Sequence, residues 1–302
     1  MTERNDLQNG ALSTLDLTTG ARARVTLRPG IAQFGIWAPD GEQVIFSSLE
    51  DGAPRLYRKS VPGSSPEVAV VPSLSQQNMF PTDWSRDGQW VLYSAPAVTA
   101  WDIFALRLGD LTVRPLVQLP KNQIQARLSP NRRWIAYASD ETGRYEVYVQ
   151  SFDDTSDRTL LSTRGGSQPT WRRDGREIFY IAGDGTMMAV PVTSGPRFEH
   201  RVERVLFHTR SQEVLTPFAA SYAVGSDGTK FLIRSEIPVG ASRTISVITN
   251  VLANRRPWWV GLSSWPGGWL IIVATVGALA LVWLNRLLTS TRRRRPERSA
   301  AA

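Results

Sequence analysis

The sequence predicts an all-β protein: a β-propeller of about six blades, the first incomplete, followed by one C-terminal transmembrane α-helix. Three observations carry this. A W-x-x-D-G signature returns at the spacing of a propeller blade, each copy is followed by a strand that is apolar on both faces, and 29 residues near the C-terminus, 257–285, hold no charge. Pro and Gly together make 42 of the 302 residues, which suits many turns and short strands. With 42% apolar and 21% charged residues the chain has a sizeable core and is neither disordered nor coiled-coil over most of its length.

From the N-terminus, Met1 to Gly10 is polar, lacks the apolar run of a secretory signal, and reads as disordered. Ala11–Leu17 and Ala21–Leu27 read as the last two strands of a blade whose first two would precede Met1. A closed ring needs only one of them, so one strand is surplus and upstream sequence is expected.

The repeats then run W-A-P-D-G at Trp37–Gly41, W-S-R-D-G at Trp84–Gly88 and W-R-R-D-G at Trp171–Gly175, with degenerate copies at Leu128–Arg132 and Val224–Gly228. Their last positions lie 47, 44, 43 and 53 residues apart, close to the length of a four-stranded blade. After each comes a strand for the inside of a blade: QVIFSS, QWVLYSA, RWIAYAS, EIFYIAG and KFLIRSE. A third strand rich in β-branched and aromatic residues follows, as in PRLYRKSV, WDIFALRL, YEVYVQSF, TMMAVPV and TISVITN.

The signature residues have structural work to do. Asp-Gly supplies the positive φ of a tight hairpin, and the Trp three residues before the Asp is expected to pack between adjacent blades. Asp40, Asp87, Asp174 and Asp227 therefore read as turn residues rather than a ring of metal or substrate carboxylates. At the third turn Asn131 and Arg132 stand for Asp and Gly, with Asn tolerating the left-handed region.

After a linker at 253–264, residues 265–288 form the predicted membrane helix, centred on WLIIVATVGALALVWL. Ser264 is its cap and Pro266 lies in its first turn, with Trp258, Trp259, Trp265 and Trp269 at one boundary and Trp283 at the other. A basic, disordered tail at 289–302 follows. From Arg286 onward six Arg and one Glu contribute +5 of the net +8, which leaves the remaining 285 residues only +3. A nucleic-acid groove is thus not indicated, and Arg292, Arg293, Arg294 and Arg295 are expected to meet anionic lipid headgroups. The charge asymmetry places the C-terminus in the cytoplasm and the propeller outside the cell. The absent signal segment argues the other way, and the incomplete first blade tips the reading to an extracytoplasmic propeller.

Cysteine is absent, so disulfides, thiolate metal sites and a cysteine nucleophile are excluded. His200 and His208 flank an outer strand, RVERVLFHT, and read as solvated edge residues. No Gly-rich phosphate loop, H-R-D, D-F-G or G-x-S-x-G occurs. The sequence reading names no catalytic, cofactor or metal residue, and expects a protein that is not an enzyme and has no cofactor.

The runs Ser129–Phe152 and Ser162–Val192, with VGSDGTKFLI and TISVITNVL after them, resemble the TolB-like β-propeller repeats of bacterial receptor-type serine/threonine protein kinases. The resemblance covers about residues 11–252. It implies a propeller, about six-bladed, tied through a membrane segment to a kinase or DNA-binding domain. This chain departs from the pattern: no kinase domain precedes the propeller, and the membrane segment lies after it. The resulting expectation is a membrane-anchored recognition or sensor propeller, binding a protein, peptide or glycan on its loop face. The alternative is the propeller portion of a split or truncated kinase or peptidase whose catalytic domain lies elsewhere.

Overall fold

The computed structural model describes residues 11–26, 31–50, 53–61, 65–70, 78–98, 100–154, 157–209, 218 and 220–234, with short strands at 2–3, 244–248, 264–265 and 269–274. Six sheets follow one another along the chain. Sheet 1 joins β1 (Thr2–Glu3), β2 (Ala11–Leu15) and β3 (Arg22–Arg24). Sheet 2 holds β4 (Ile31–Trp37), β5 (Gln43–Glu50), β6 (Ala53–Ser60) and β7 (Val68–Ala69). Sheet 3 holds β8 (Phe80–Trp84), β9 (Trp90–Pro96), β10 (Trp101–Arg107) and β11 (Val113–Val117). Sheet 4 holds β12 (Gln123–Leu128), β13 (Trp134–Ser139), β14 (Glu146–Ser151) and β15 (Arg158–Leu160).

In sheet 5, β16 (Ser167–Trp171), β17 (Glu177–Ile181) and the long β18 (Thr186–Ser194) are followed by a fourth strand in two pieces. Of these, β19 (Phe198–His200) pairs with one end of β18 and β20 (Arg204–His208) with the other. Sheets 2 to 4 are antiparallel meanders, and the first strands of sheets 2 to 5 lie side by side. No helix occurs among the described residues.

The chain divides into two compact units, 1–221 and 222–302. The second contains sheet 6, built on β21 (Tyr222–Val224), β22 (Phe231–Arg234) and β23 (Thr244–Ile248), with β24 (Ser264–Trp265) and β25 (Trp269–Ala274) beyond them. The span 265–288 was expected to be a membrane helix. Its described residues, Trp265 and Trp269–Ala274, are extended, and 269–274 pairs in parallel with β23, as its β-branched run Ile271–Val273 allows. The rest of that span, the linker apart from Ser264, and the basic tail lie outside the described residues. Among the described residues no helix is long and apolar enough to cross a membrane. At the other end, Thr2 and Glu3 pair with Leu12 and Ala11, while residues 4–10 lie outside the description.

Packing explains the doubly apolar second strands. On β9, Val91 and Tyr93 turn toward Ile45 and Leu56 of sheet 2, while Leu92 joins Ile135 and Tyr137 of sheet 4. Each strand thus serves two interfaces at once, so nearly every position along it is apolar, with Ser94 on β9 and Ser47 on β5 as buried exceptions.

The signature turns share one geometry. In the first, Gly41 N–H donates to the Ala38 carbonyl and Ala38 N–H to the Gln43 carbonyl, and Gly41 has φ 76°. Gly88, Gly175 and Gly228 repeat this at φ 72°, 74° and 73°. Only the glycine position is left-handed, which excludes a two-residue primed turn, and the hydrogen bonds Gly41 to Ala38 and Ala38 to Gln43 close a four-residue hairpin loop. At the degenerate turn the left-handed residue is Arg132, φ 58°, and not Asn131. Asn131 instead takes the Asp role: its Oδ1 accepts the Arg133 N–H at 3.2 Å, as Asp40 accepts Glu42 and Asp174 accepts Arg176.

Candidate functional site

The innermost strands of unit 1 carry a feature that the repeat pattern hides. Three residues before the last residue of each strand the register breaks. The bulged residues Phe34, Gln125 and Gln168 have φ 56°, 61° and 57°, a left-handed conformation that L-residues adopt at a cost. In β8 the same position is Pro81, whose ring forbids positive φ, and the shift falls between Pro81 and Asp83.

Where the bulged residue is Gln, its side chain crosses to the next strand. Gln125 Oε1 accepts the Gln168 N–H at 2.7 Å, and Gln168 Oε1 accepts both the N–H and the Oγ–H of Ser221. Sheet 3 uses Asp83 for the equivalent crossing: its Oδ2 accepts the Leu128 N–H at 2.7 Å, with Arg127 3.5 Å from Oδ1. Burial pushes the Asp83 carboxyl above its usual value, and the Arg127 charge offsets part of that. Trp171 ties the next seam, between sheets 4 and 5, its Nε1–H donating to the Arg127 carbonyl at 3.0 Å.

Where the bulged residue is Phe34, the outcome differs. Its ring meets Phe80 edge-on at 5.0 Å and Phe218 at 6.1 Å. Phe218 in turn stacks on Phe80 at 4.3 Å and lies 4.3 Å from Trp101, itself 5.5 Å from Phe80. Phe80 and Trp101 open β8 and β10, so this cluster sits at the end of the strands opposite the signature turns. All four rings are only half-buried.

Polar groups frame the rings. Asn122 Oδ1 accepts the Trp101 N–H at 3.3 Å, and Asn122 donates through its backbone and side chain to both oxygens of Asp140. Next to Trp101, Asp102 is buried and its pKa is raised by that burial, against one donor, Gln118 Nε2, at 3.2 Å. Ser47 Oγ, Ser94 Oγ and Gln125 Nε2 are buried without a hydrogen-bond partner among the described residues. Ser94 pairs directly with Phe80 across the ladder. Half-exposed rings with the unsatisfied Ser94 hydroxyl across the ladder from Phe80 can accept an apolar group that carries a hydrogen-bonding function.

The residues singled out in the sequence lie elsewhere. Asp40, Asp87 and Asp174 each hold a turn N–H at the opposite end of the strands, and Asp227 does so in the second unit. His200 is exposed on β19 and stacks on Phe198, and exposed His208 on β20 has Nδ1 2.9 Å from Thr186 Oγ1. Trp171 and Trp84 pack on the preceding sheet as expected, but Trp37 remains 49% exposed. Arg292, Arg293, Arg294 and Arg295 lie outside the described residues. Among the described residues no group of three or more His, Asp or Glu is placed to hold a metal. Sequence reasoning missed Phe34, Phe80, Trp101 and Phe218 because it started each blade at the signature turn, after the innermost strand. Phe34 lies at the third residue before Trp37, but that position holds Pro81, Gln125 and Gln168 in the other sheets, so no shared residue type marked it.

No family model matches the sequence, nor does any curated protein. Solved structures do match. TolB from Acinetobacter baumannii superposes with a TM-score of 0.61 at 17% identity, over 81% of this chain and 58% of its own. This chain therefore spans little more than half the length of that protein. A Mycobacterium tuberculosis puromycin-hydrolysing peptidase matches with a TM-score of 0.55 at 18% identity, over 74% of this chain and 38% of its own. A periplasmic gluconolactonase of Pseudomonas aeruginosa matches with 0.53 at 13% identity, over 77% and 73%.

The last two correct the expectation that this chain is not an enzyme. Enzymes share its fold, so missing kinase and G-x-S-x-G signatures do not exclude catalysis. Of these neighbours, the gluconolactonase is a periplasmic protein. At these identities the likeness shows the fold alone: the chain is an all-β protein with TolB-like β-propeller neighbours.

Proposed function

We propose that this propeller is a recognition module whose aromatic mouth takes up an apolar side chain of a protein or peptide. The observation that carries the reading is the convergence of Phe34, Phe80, Trp101 and Phe218, all half-buried, with the buried, unpartnered Ser94 hydroxyl across the ladder from Phe80. Aromatic residues in such settings supply most of the energy of protein interfaces. The module belongs at the cell membrane, with the propeller outside and Arg292–Arg295 against anionic headgroups. The uncharged stretch 257–285 and the charge asymmetry around it support that placement. Its setting in a receptor-kinase-like system rests on the resemblance of 129–152 and 162–192.

The mouth is tested by selecting a random heptapeptide library on the full chain and repeating the binding with Trp101→Ala. Enrichment of peptides with an aromatic or aliphatic anchor, bound at least tenfold more weakly by the variant, is the expected result. Failure to enrich any sequence, or binding indifferent to Trp101→Ala, overturns the reading.

A further inference from the structure

At the opposite end of the strands, three signature turns form a continuous surface. Arg132 Nη1 lies 3.3 Å from Asp87 Oδ2, which joins the turns of sheets 3 and 4. Asn131 Nδ2 donates to the Ser194 carbonyl at 2.6 Å, and a Cβ placed on Gly175 would meet Pro130 at 3.6 Å, which joins sheets 4 and 5. These turns carry Arg86, Arg132, Arg133, Arg172, Arg173 and Arg176 against only two acids, Asp87 and Asp174.

The acids are already engaged. Asp87 pairs with Arg132, and Arg172 takes both Asp174, at 3.4 Å, and Glu177, at 3.0 Å. Arg86, Arg133, Arg173 and Arg176 are exposed and form no ion pair among the described residues. Beside Arg176 a cleft of about 530 Å³ opens, its walls including Asp174, Thr193, Glu199, His200 and Arg201, and Arg201 likewise forms no ion pair among the described residues.

We infer that this signature-turn face of sheets 3 to 5 is a docking surface for an acidic protein segment, whose carboxylates pair with Arg86, Arg133, Arg173 and Arg176 and whose chain enters the cleft at Arg201. Guanidinium groups that form no ion pair of their own bind carboxylates through paired, charge-assisted hydrogen bonds. Burial and then the Arg173 charge pull the Arg86 guanidinium below its usual pKa, and the Asp83 and Asp174 charges offset part of that. Nucleic acid suits the face less well. Asp87, Asp174 and Glu199 interrupt it, whereas a polyphosphate strand needs an unbroken cationic track. The surface is independent of the aromatic mouth at the other end of the strands.

The test uses the full chain and a fluorescent peptide of alternating Glu and Gly, with binding read by anisotropy at low and high salt. Arg86→Glu/Arg173→Glu/Arg176→Glu is expected to weaken binding more than tenfold at low salt, while Lys121→Glu, off this face, and Trp101→Ala leave it unchanged. The Arg292–Arg295 run is present in every variant, so differences report the turn face alone. Circular dichroism matching the parent shows the triple variant folded, and Arg173→Gln alone, which swaps no charge sign, gives a smaller loss in the same direction. Binding unaltered by the triple variant overturns the proposal. So does tighter, equally Arg-dependent binding of a single-stranded oligonucleotide or of anionic lipid vesicles.

Discussion

Trp171 and Trp37 occupy the same place in the same five-residue signature, and the structure treats them in opposite ways. Trp171 is 8% exposed, whereas Trp37 is 49% exposed. The difference lies in what precedes each. Sheet 4 brings Ala136, Val147, Val149 and Leu161 against Trp171, and the Arg127 carbonyl accepts its Nε1–H. Sheet 1 has three strands. Its Leu12 and Val25 reach Ala32, Val44, Phe46 and Tyr57, leaving the Trp37 indole outside that cluster. A repeat motif sets where a side chain is presented. The neighbouring sheet decides whether it is buried.

The largest effect expected from this contrast is at Trp171. Trp171→Ala should cost about 3–5 kcal/mol in urea unfolding of the full chain, the range for truncating a buried aromatic. A cost below about 1 kcal/mol would show that the seam between sheets 4 and 5 does not depend on the indole. Next comes Gln168→Ala, which strips the acceptor from the N–H and Oγ–H of Ser221. Leaving such buried donors unmade should cost about 1–3 kcal/mol, and an unchanged midpoint would mean that water takes over the role. Trp37→Ala should cost less than about 1 kcal/mol, as for an exposed position. A loss equal to that at Trp171 would break the comparison outright.

The smallest effect is read from pH. Burial raises the Asp102 carboxyl, so the folded state holds that proton more tightly than the unfolded state does. Its contribution therefore favours folding in acid and is lost as pH rises through the folded pKa. Asp102→Asn removes the charge while its Oδ1 can still accept from Gln118 Nε2. The variant should be more stable than the parent at pH 7, with the advantage shrinking as the pH approaches about 4, near the unfolded carboxyl value. An advantage that grows on acidification would reverse the assignment.

The repeat was legible because each signature is local. Asp40, Asp87 and Asp174 accept an N–H two residues on, and a glycine after each takes up the positive φ, so spacing alone located the turns. The doubly apolar second strands were legible for a related reason: a strand between two seams is apolar at nearly every position, as Val91–Tyr93 and Ile178–Ile181 show.

The bulges were not legible. Phe34, Gln125 and Gln168 share a backbone state but no chemistry, and Pro81 breaks even that likeness. Their conformation is enforced by the adjacent strand, which gives Gln125 the N–H of Gln168 and gives Phe34 the ring of Phe80. Likewise Phe34, Phe80, Trp101 and Phe218 are scattered over 185 positions of sequence and become a site only where first strands lie side by side.

The sequence by itself determined the β class, the repeat length, the turn residues and the two-sided burial of the second strands, because each depends on groups within a few residues of one another. Which tryptophan is covered, which inner-strand side chain crosses a seam, and where aromatic rings and unpaired arginines gather were decided by tertiary structure alone. Those outcomes depend on the adjoining sheet, about one repeat away along the chain and in contact only after folding.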